Sequence, residues 1–268
     1  MLKEVPFGTA TYFMLVKTPF PCYFTPMPRI ARIVIPDVPY HITQRGNNRQ
    51  DVFFVDQDRQ VYLSLLKTQS DLYGLAILGY CLMCNHVHLV AIPSRIDSLA
   101  RAVGRTNYLY TRYINRLHER TGHLWQNRFF SSALDENYFW RAIRYVERNP
   151  VRARLVKHAW DYPWSSAPAH VTQTDPLGLL DLSTWKTLLA HDNWKELLKD
   201  PDDEAESNAL RTHTHRGCPL GSDSFLCKME KLLNRRLRPL PIGRPQKTKN
   251  TPTSQKRKKP SKTTNQPP

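Results

Sequence analysis

Leu75-Ala76-Ile77-Leu78-Gly79-Tyr80-Cys81-Leu82 is an unbroken apolar run of strand length, and it reads as a buried strand. Asn85 is a turn residue, and His86-Val87-His88-Leu89-Val90-Ala91-Ile92 is the strand that returns. An antiparallel pair at this point organises its neighbours. Upstream, Val38 to Thr43 alternates as a strand and Gln44-Arg45-Gly46-Asn47-Asn48-Arg49 is a polar turn. Asp56 can cap a helix that runs to about Ser70, with Val61, Leu65 and Leu66 on one face. Downstream, Asp97 or Ser98 starts a longer helix whose apolar stripe is Leu99, Val103, Tyr110, Ile114 and Leu117. Phe129 to Leu134 is a short strand. Asp135 caps a third helix that ends near Asn149-Pro150. Strands and helices alternating across short turns predict an α+β domain: an antiparallel sheet with helices on one face.

Beyond this region the chain changes character. Residues 1–26 hold four prolines and no clear period, and Met27-Pro28-Arg29 could be a second start, so they read as an N-terminal extension. The ordered domain spans residues 27–167. Residues 168–240 are thinly helical, over Trp185 to Leu198 and Ser224 to Leu237, and predict a small accessory region. Residues 241–268 carry eight Lys or Arg and no acid among prolines and threonines, the composition of a disordered basic tail. Within it, Gly243-Arg244-Pro245 looks like the centre of a minor-groove AT-hook, with an incomplete basic flank.

The whole chain of 268 residues has a formal charge of +16, which argues for a polyanionic partner, nucleic acid before an anionic membrane surface. No stretch approaches the roughly 20 apolar residues of a spanning helix. Five cysteines, an odd number without framework spacing, predict free thiols in a reducing compartment and a cytoplasmic, nucleoid-associated location.

His86 and His88 lie two apart on a strand, so both imidazoles point to one face and can bind one metal ion, with room for oxygen ligands such as a substrate phosphate. Cys81 and Cys84 stand beside the pair and raise a zinc reading. Against it, Cys81 lies in an apolar strand where a thiol acts as a small hydrophobe, and no second cysteine pair has zinc spacing. In the third helix, Tyr145 has Asn149 one turn on. The other tyrosines of the two later helices, Tyr108, Tyr110, Tyr113 and Tyr138, have Arg112, Ile114, Leu117 and Ala142 there instead. A phenol beside an amide oxygen can share a metal. The same residues also suit an amphipathic core tyrosine and a C-capping asparagine before proline.

Met83-Cys84-Asn85-His86-Val87-His88-Leu89 resembles the HUH motif of single-strand nucleases. Tyr145-Val146-Glu147-Arg148-Asn149-Pro150-Val151-Arg152-Ala153 resembles the tyrosine helix of the REP-associated tyrosine transposases, proteins linked to repetitive extragenic palindromes. Thr43 to Arg49, Gly122 to Phe129 and Tyr162-Pro163-Trp164-Ser165-Ser166 match in the same order, so the resemblance covers about residues 27–168. Cys84 departs from it, standing where proline or a small residue is usual. The resemblance implies a ferredoxin-like sheet with the histidines on a central strand. It also implies Mg²⁺ or Mn²⁺ bound by His86, His88 and Asn149, and a 5′-phosphotyrosine intermediate.

On that reading Tyr145 is the nucleophile, and the partner is single-stranded DNA carrying a hairpin like a repetitive extragenic palindrome, met by a monomer or a homodimer. Arg45, Arg49, Arg101, Arg105, Arg112 and Arg128 are candidates to bind backbone phosphates, each with a solvated basic face as the plain alternative. Trp125 and Phe129 suit core packing better than base stacking. Two other classes stay open: a regulatory hairpin-binding protein that keeps the fold without cutting, and a metal-dependent phosphoesterase that uses water.

Overall fold

The computed structural model describes residues 34–188 and 193–238. The expected extension over residues 1–26 and the basic tail over 241–268, with its Gly243-Arg244-Pro245, lie outside them. The described chain runs β1 (Tyr40–Arg45), α1 (Asp56–Tyr73), β2 (Leu75–Met83), β3 (His86–Pro93), α2 (Ser98–Leu117), β4 (Phe130–Ala133) and α3 (Glu136–Glu147). The four strands pair antiparallel in the order β2-β3-β1-β4. Strand, helix, two strands, helix, strand in that order is the ferredoxin-like unit. The α+β class is as expected, and the histidine strand β3 is central, between β2 and β1.

Local chemistry explains the boundaries. Asp56 is the first residue of α1 and does not cap it. Asp58, completely buried, reaches back to accept from the backbone N–H of Phe54 (2.8 Å) and of Val55 (3.1 Å), the N-cap, and so fixes the chain as it enters the helix. Gly74 ends α1 at φ 61, a left-handed conformation that suits glycine. Asp135 caps α3 as expected, accepting from Tyr138 N at 2.9 Å.

Strand alternation sorts the sheet into two faces. Tyr40, Ile42, Leu75, Ile77, Tyr80, Leu82, Val87, Leu89 and Ala91 pack with α1 and α2. Trp125 and Phe129 are buried in this same core, and the Trp125 indole donates to Asn107 O at 3.2 Å. Of the stripe read on α2, Leu117 alone is exposed, at the helix end.

The expectation of helices on one face describes only the α1–α2 side. The opposite face, which carries Leu78, Cys81 and Val90, is covered by α3 together with Trp185, Trp194, Leu198, Leu210 and Leu220 from further along the chain. β3, unlike a half-exposed strand, is apolar on both sides of its pleat at Val87, Leu89 and Val90, and such a strand needs cover on both.

That cover comes from α4 (Asn149–Arg152), α5 (Ala167–Thr172), α6 (Leu182–Leu188), α7 (Trp194–Leu197) and α8 (Glu204–Arg216), whereas α9 (Asp223–Leu233) packs through Met229 with Ile35 in a smaller cluster. The single helix expected over Trp185 to Leu198 is two. α7 starts afresh at Asn193, whose side chain accepts from Glu196 N at 3.3 Å. The helix expected over Ser224 to Leu237 is α9, ended by Asn234 at φ 45. Helix α8 was not foreseen, although Asp203 caps it and Gly217 at φ 67 closes it. No described helix is long and apolar enough to cross a membrane.

Candidate active site

β3 lifts His86 and His88 onto the α3 side of the sheet. In the antiparallel register His88 faces Thr43 of β1 and Cys81 of β2, while His86 faces Arg45 and Met83. One diagonal step away on β1 is His41. Its ring stacks on that of His88, with centroids 5.2 Å apart and planes at 10°. The two join through His41 Nε2 and His88 Nδ1 at 2.9 Å, and His41 Nδ1 reaches Thr214 Oγ1 of α8 at 2.7 Å. His86 Nδ1 is held by Asn85 Oδ1 at 2.6 Å. Both site histidines thus have Nδ1 engaged, and among the described residues neither Nε2 has a hydrogen-bond partner. An imidazole oriented through one nitrogen, with the other facing the site, is the arrangement of a metal ligand.

The charge state agrees with that role. Burial, then Arg45 and Arg152, pushes the His86 pKa down to about 4. Burial, then Arg152, pushes His41 down to about 3. His88 is held well below the usual histidine value by burial and then by its histidine and arginine neighbours. All three rings are therefore neutral at pH 7, and His86 and His88 keep an Nε2 lone pair for a cation, whereas both His41 nitrogens are already engaged.

α3 brings Tyr145 against this pair. Its ring meets His88 edge-on, with centroids 5.7 Å apart, and meets His41 at 5.9 Å. The Arg152 guanidinium lies over the Tyr145 ring, Cζ 4.0 Å from the centroid, a cation–π contact. The Tyr145 hydroxyl accepts from Arg211 Nε of α8 at 3.2 Å. Asn149 follows one turn on. Its Nδ2 donates to the carbonyls of Tyr145 and Val146, both at 3.1 Å, and its Oδ1 accepts from Arg152 at 2.7 Å. Arg152 also donates to the Tyr145 carbonyl at 3.0 Å and pairs with Asp202 at 3.3 Å.

The structure thus sets Tyr145 of α3 against His88 of β3, with His86 beside His88 on the same strand and Asn149 of α4 bonded to the Tyr145 carbonyl one turn on. Among the described residues no group of three His, Cys, Asp or Glu side chains could hold a metal ion. A third protein donor to a cation here would have to be of another type, such as an amide oxygen. Asn149 Oδ1 has a second lone pair beyond the one that Arg152 uses. Cys81 is fully buried beside Met83 (3.6 Å between sulfurs), and burial raises its pKa, whereas Cys84 is exposed in the β2–β3 turn.

The six candidate arginines separate. Arg45 is exposed at the end of β1, in register with His86, and Arg49 is exposed in the following turn at φ 61. Arg128 is exposed in the loop before β4. Arg101, Arg105 and Arg112 lie on the outer side of α2, on the opposite face of the sheet from the histidines. Arg101 is paired with Asp97 at 2.9 Å, and Arg105 and Arg112 flank the exposed Tyr108 ring.

His41, Arg152, Arg211 and Thr214 escaped the sequence reading. His41 shares the parity of Thr43 on β1, but only the β1–β3 register makes it a neighbour of His88. Arg152 follows Asn149 by one turn, a spacing that signals contact.

A buried polar knot anchors the tyrosine helix. Glu147, fully buried, accepts from Ser166 Oγ (2.5 Å), binds His170 Nδ1 (2.5 Å) and accepts from Trp194 Nε1 (2.8 Å). Removing one member of such a network strands the others without partners. Glu147→Ala is therefore expected to cost about 3 kcal/mol or more, read by chemical denaturation. A loss under about 1 kcal/mol would show that water replaces the carboxylate.

Residues 35–149 match the family described as Transposase IS200 like. The chain is similar to a solved REP-associated tyrosine transposase bound to a REP hairpin, at 19% identity and TM-score 0.47, over 58% of this chain and 90% of that one. It is also similar to a candidate transposase from Deinococcus radiodurans R1, at 18% identity and TM-score 0.32, over 47% of this chain and 90% of that one. No curated protein matches it.

Proposed function

We propose, from the match of residues 35–149 to the IS200-like transposase family, that this protein cuts and rejoins single-stranded DNA through Tyr145. The observation that carries the reading is the Tyr145 ring packed edge-on against His88, itself beside His86, both imidazoles being neutral and held through Nδ1. Tyr145 Oη attacks the scissile phosphorus, the P–O3′ bond breaks, and the 3′ oxygen leaves as a hydroxyl, with the phenolic proton balanced by the one it gains. The 5′ phosphate stays on Tyr145. Attack by another 3′ hydroxyl reverses the step and joins two strands.

His86, His88 and Asn149 are the residues that would hold Mg²⁺ or Mn²⁺. When bound, such an ion withdraws charge from the phosphate and orients it. His41 and Thr214 fix the His88 ring, Asn85 fixes the His86 ring, and Arg152 packs on the Tyr145 ring. The substrate is a single strand flanking a hairpin, since a strand must be flexible to reach a helix-borne tyrosine. Exposed Arg45, Arg49 and Arg128 supply phosphate contacts near the sheet end that carries His86.

The test is covalent capture. A hairpin oligonucleotide with labelled single-stranded flanks is incubated with the full chain and Mn²⁺ or Mg²⁺, then denatured. A denaturant-resistant adduct on the 5′ end supports the proposal. Cleavage without adduct would instead favour hydrolysis by water, and tight hairpin binding without cleavage would favour a regulatory binder.

The tail enters the same assay. Its eight positive charges without an acid are expected to add affinity through counterion release. Deleting residues 241–268 should weaken DNA binding and flatten its salt dependence, each lost phosphate contact lowering the log–log slope by roughly one unit. An unchanged slope would mean that the tail does not touch DNA.

A further inference from the structure

We propose that Arg211, on α8 and beyond the family-matched residues 35–149, is a further catalytic residue that stabilises charge on the Tyr145 oxygen as the phosphotyrosine forms and breaks. The inference rests on the strand-transfer reading above. Arg211 Nε lies 3.2 Å from Tyr145 Oη, within hydrogen-bond reach of the reacting atom. Its guanidinium is oriented from its own helix: Nη1 donates to Glu204 Oε1 at 3.0 Å and to Asn208 Oδ1 at 2.9 Å. Nη2 has no partner among the described residues and is free for a phosphate oxygen. α8 is held over the site by a second contact one turn on, from Thr214 to His41.

The chemistry follows from what arginine cannot do. A guanidinium keeps its proton, so Arg211 is not the base; the phenolic proton is balanced at the leaving 3′ hydroxyl. Arg211 holds a charge-assisted hydrogen bond to an oxygen whose negative charge is largest in the transition state. It is therefore worth more there than in the ground state. The same bond serves the reverse step, when the phenolic oxygen leaves phosphorus, so cleavage and joining both depend on it.

The experiment measures single-turnover adduct formation and rejoining on the hairpin oligonucleotide for the wild-type chain, Tyr145→Phe, Arg211→Ala, Arg211→Gln and Arg211→Lys. DNA affinity and circular dichroism are recorded for each, and millimolar guanidinium or urea is added back. Both rates are expected to fall about 10- to 100-fold in Arg211→Ala and Arg211→Gln with affinity nearly kept. Guanidinium, but not urea, should restore part of the Arg211→Ala rate, and Arg211→Lys should fall between. Arg211→Ala rates that equal or exceed the wild type would overturn the proposal, since the contact would then be neutral or would restrain Tyr145. A loss that guanidinium does not restore would also overturn it, because Arg211 would then only hold α8 in place. A wild-type chain that forms no adduct would overturn the strand-transfer reading itself, and this inference with it.

Discussion

Tyr145→Phe is expected to lose covalent capture of DNA by at least about 10⁴-fold, the scale seen when a covalent nucleophile is deleted, while hairpin affinity should stay within about threefold, under 1 kcal/mol. The asymmetry follows from the contacts of the side chain. The ring packs against His88 and His41 and under Arg152, and all three contacts survive in phenylalanine. Only the hydroxyl is lost, and with it the hydrogen bond from Arg211. That bond joins a partly exposed arginine, which water can resolvate, so the fold loses at most about 1 kcal/mol. The measurement is the denaturant-resistant adduct on the labelled hairpin oligonucleotide, with affinity titrated in parallel. An adduct that persists in the variant would assign the nucleophile elsewhere, to Tyr138 on the same helix first. A variant that still nicks the strand without an adduct would move the chemistry to water.

Changing His86 or His88 to Ala is expected to lower cleavage roughly 100- to 10 000-fold, the several kcal/mol that a divalent ion contributes to charge stabilisation on phosphate. Bound Mn²⁺, quantified by electron paramagnetic resonance on the purified chain, should fall with it. His86→Ala is the cleaner variant. Its ring is only partly buried and its Nδ1 partner Asn85 lies at a turn, whereas His88→Ala leaves buried His41 without one of its two partners. Asn149→Ala should fall between the wild type and the histidine variants, because water can replace one ligand. Cys81→Ser with Cys84→Ser sets the contrast. Cleavage should stay within about twofold, under 0.5 kcal/mol, while the buried Cys81 site loses about 1–3 kcal/mol of stability on receiving a hydroxyl. Stoichiometric zinc that disappears with the cysteine variant would overturn the assignment and restore a zinc-binding turn.

Much of the domain is legible in the sequence, for reasons that are local. A period of two placed His86 and His88 on one face of a strand, and a period of 3.6 placed Asn149 one turn after Tyr145. The apolar runs on either side of Asn85 marked β2 and β3, and Asp135 marked the start of α3. Each inference needed only backbone geometry over a few residues, which side-chain type controls directly. Motif order then carried the family resemblance across residues far apart in the chain.

Other features needed the packed chain. That His41 stacks on His88 depends on the β1–β3 register, and register is chosen by which apolar faces meet in the core, not by either strand alone. That helices cover both faces of the sheet depends on Trp185, Trp194 and Leu210 finding Cys81 and Leu78, groups about a hundred residues upstream. Helix α8 is the sharpest case. Ser207, Leu210 and Thr214 are its buried residues, and its histidines, threonines and arginines carry almost no apolar period, so its caps were the only local signal. Its position comes from a few long-range contacts, Thr214 to His41, Arg211 to Tyr145 and Phe130 on His215. Local periodicity records which face of an element is apolar. It does not record which distant polar side chains meet once those faces have closed, and for this reason the two strands and the tyrosine helix were readable from the sequence while the residues that surround the tyrosine hydroxyl were not.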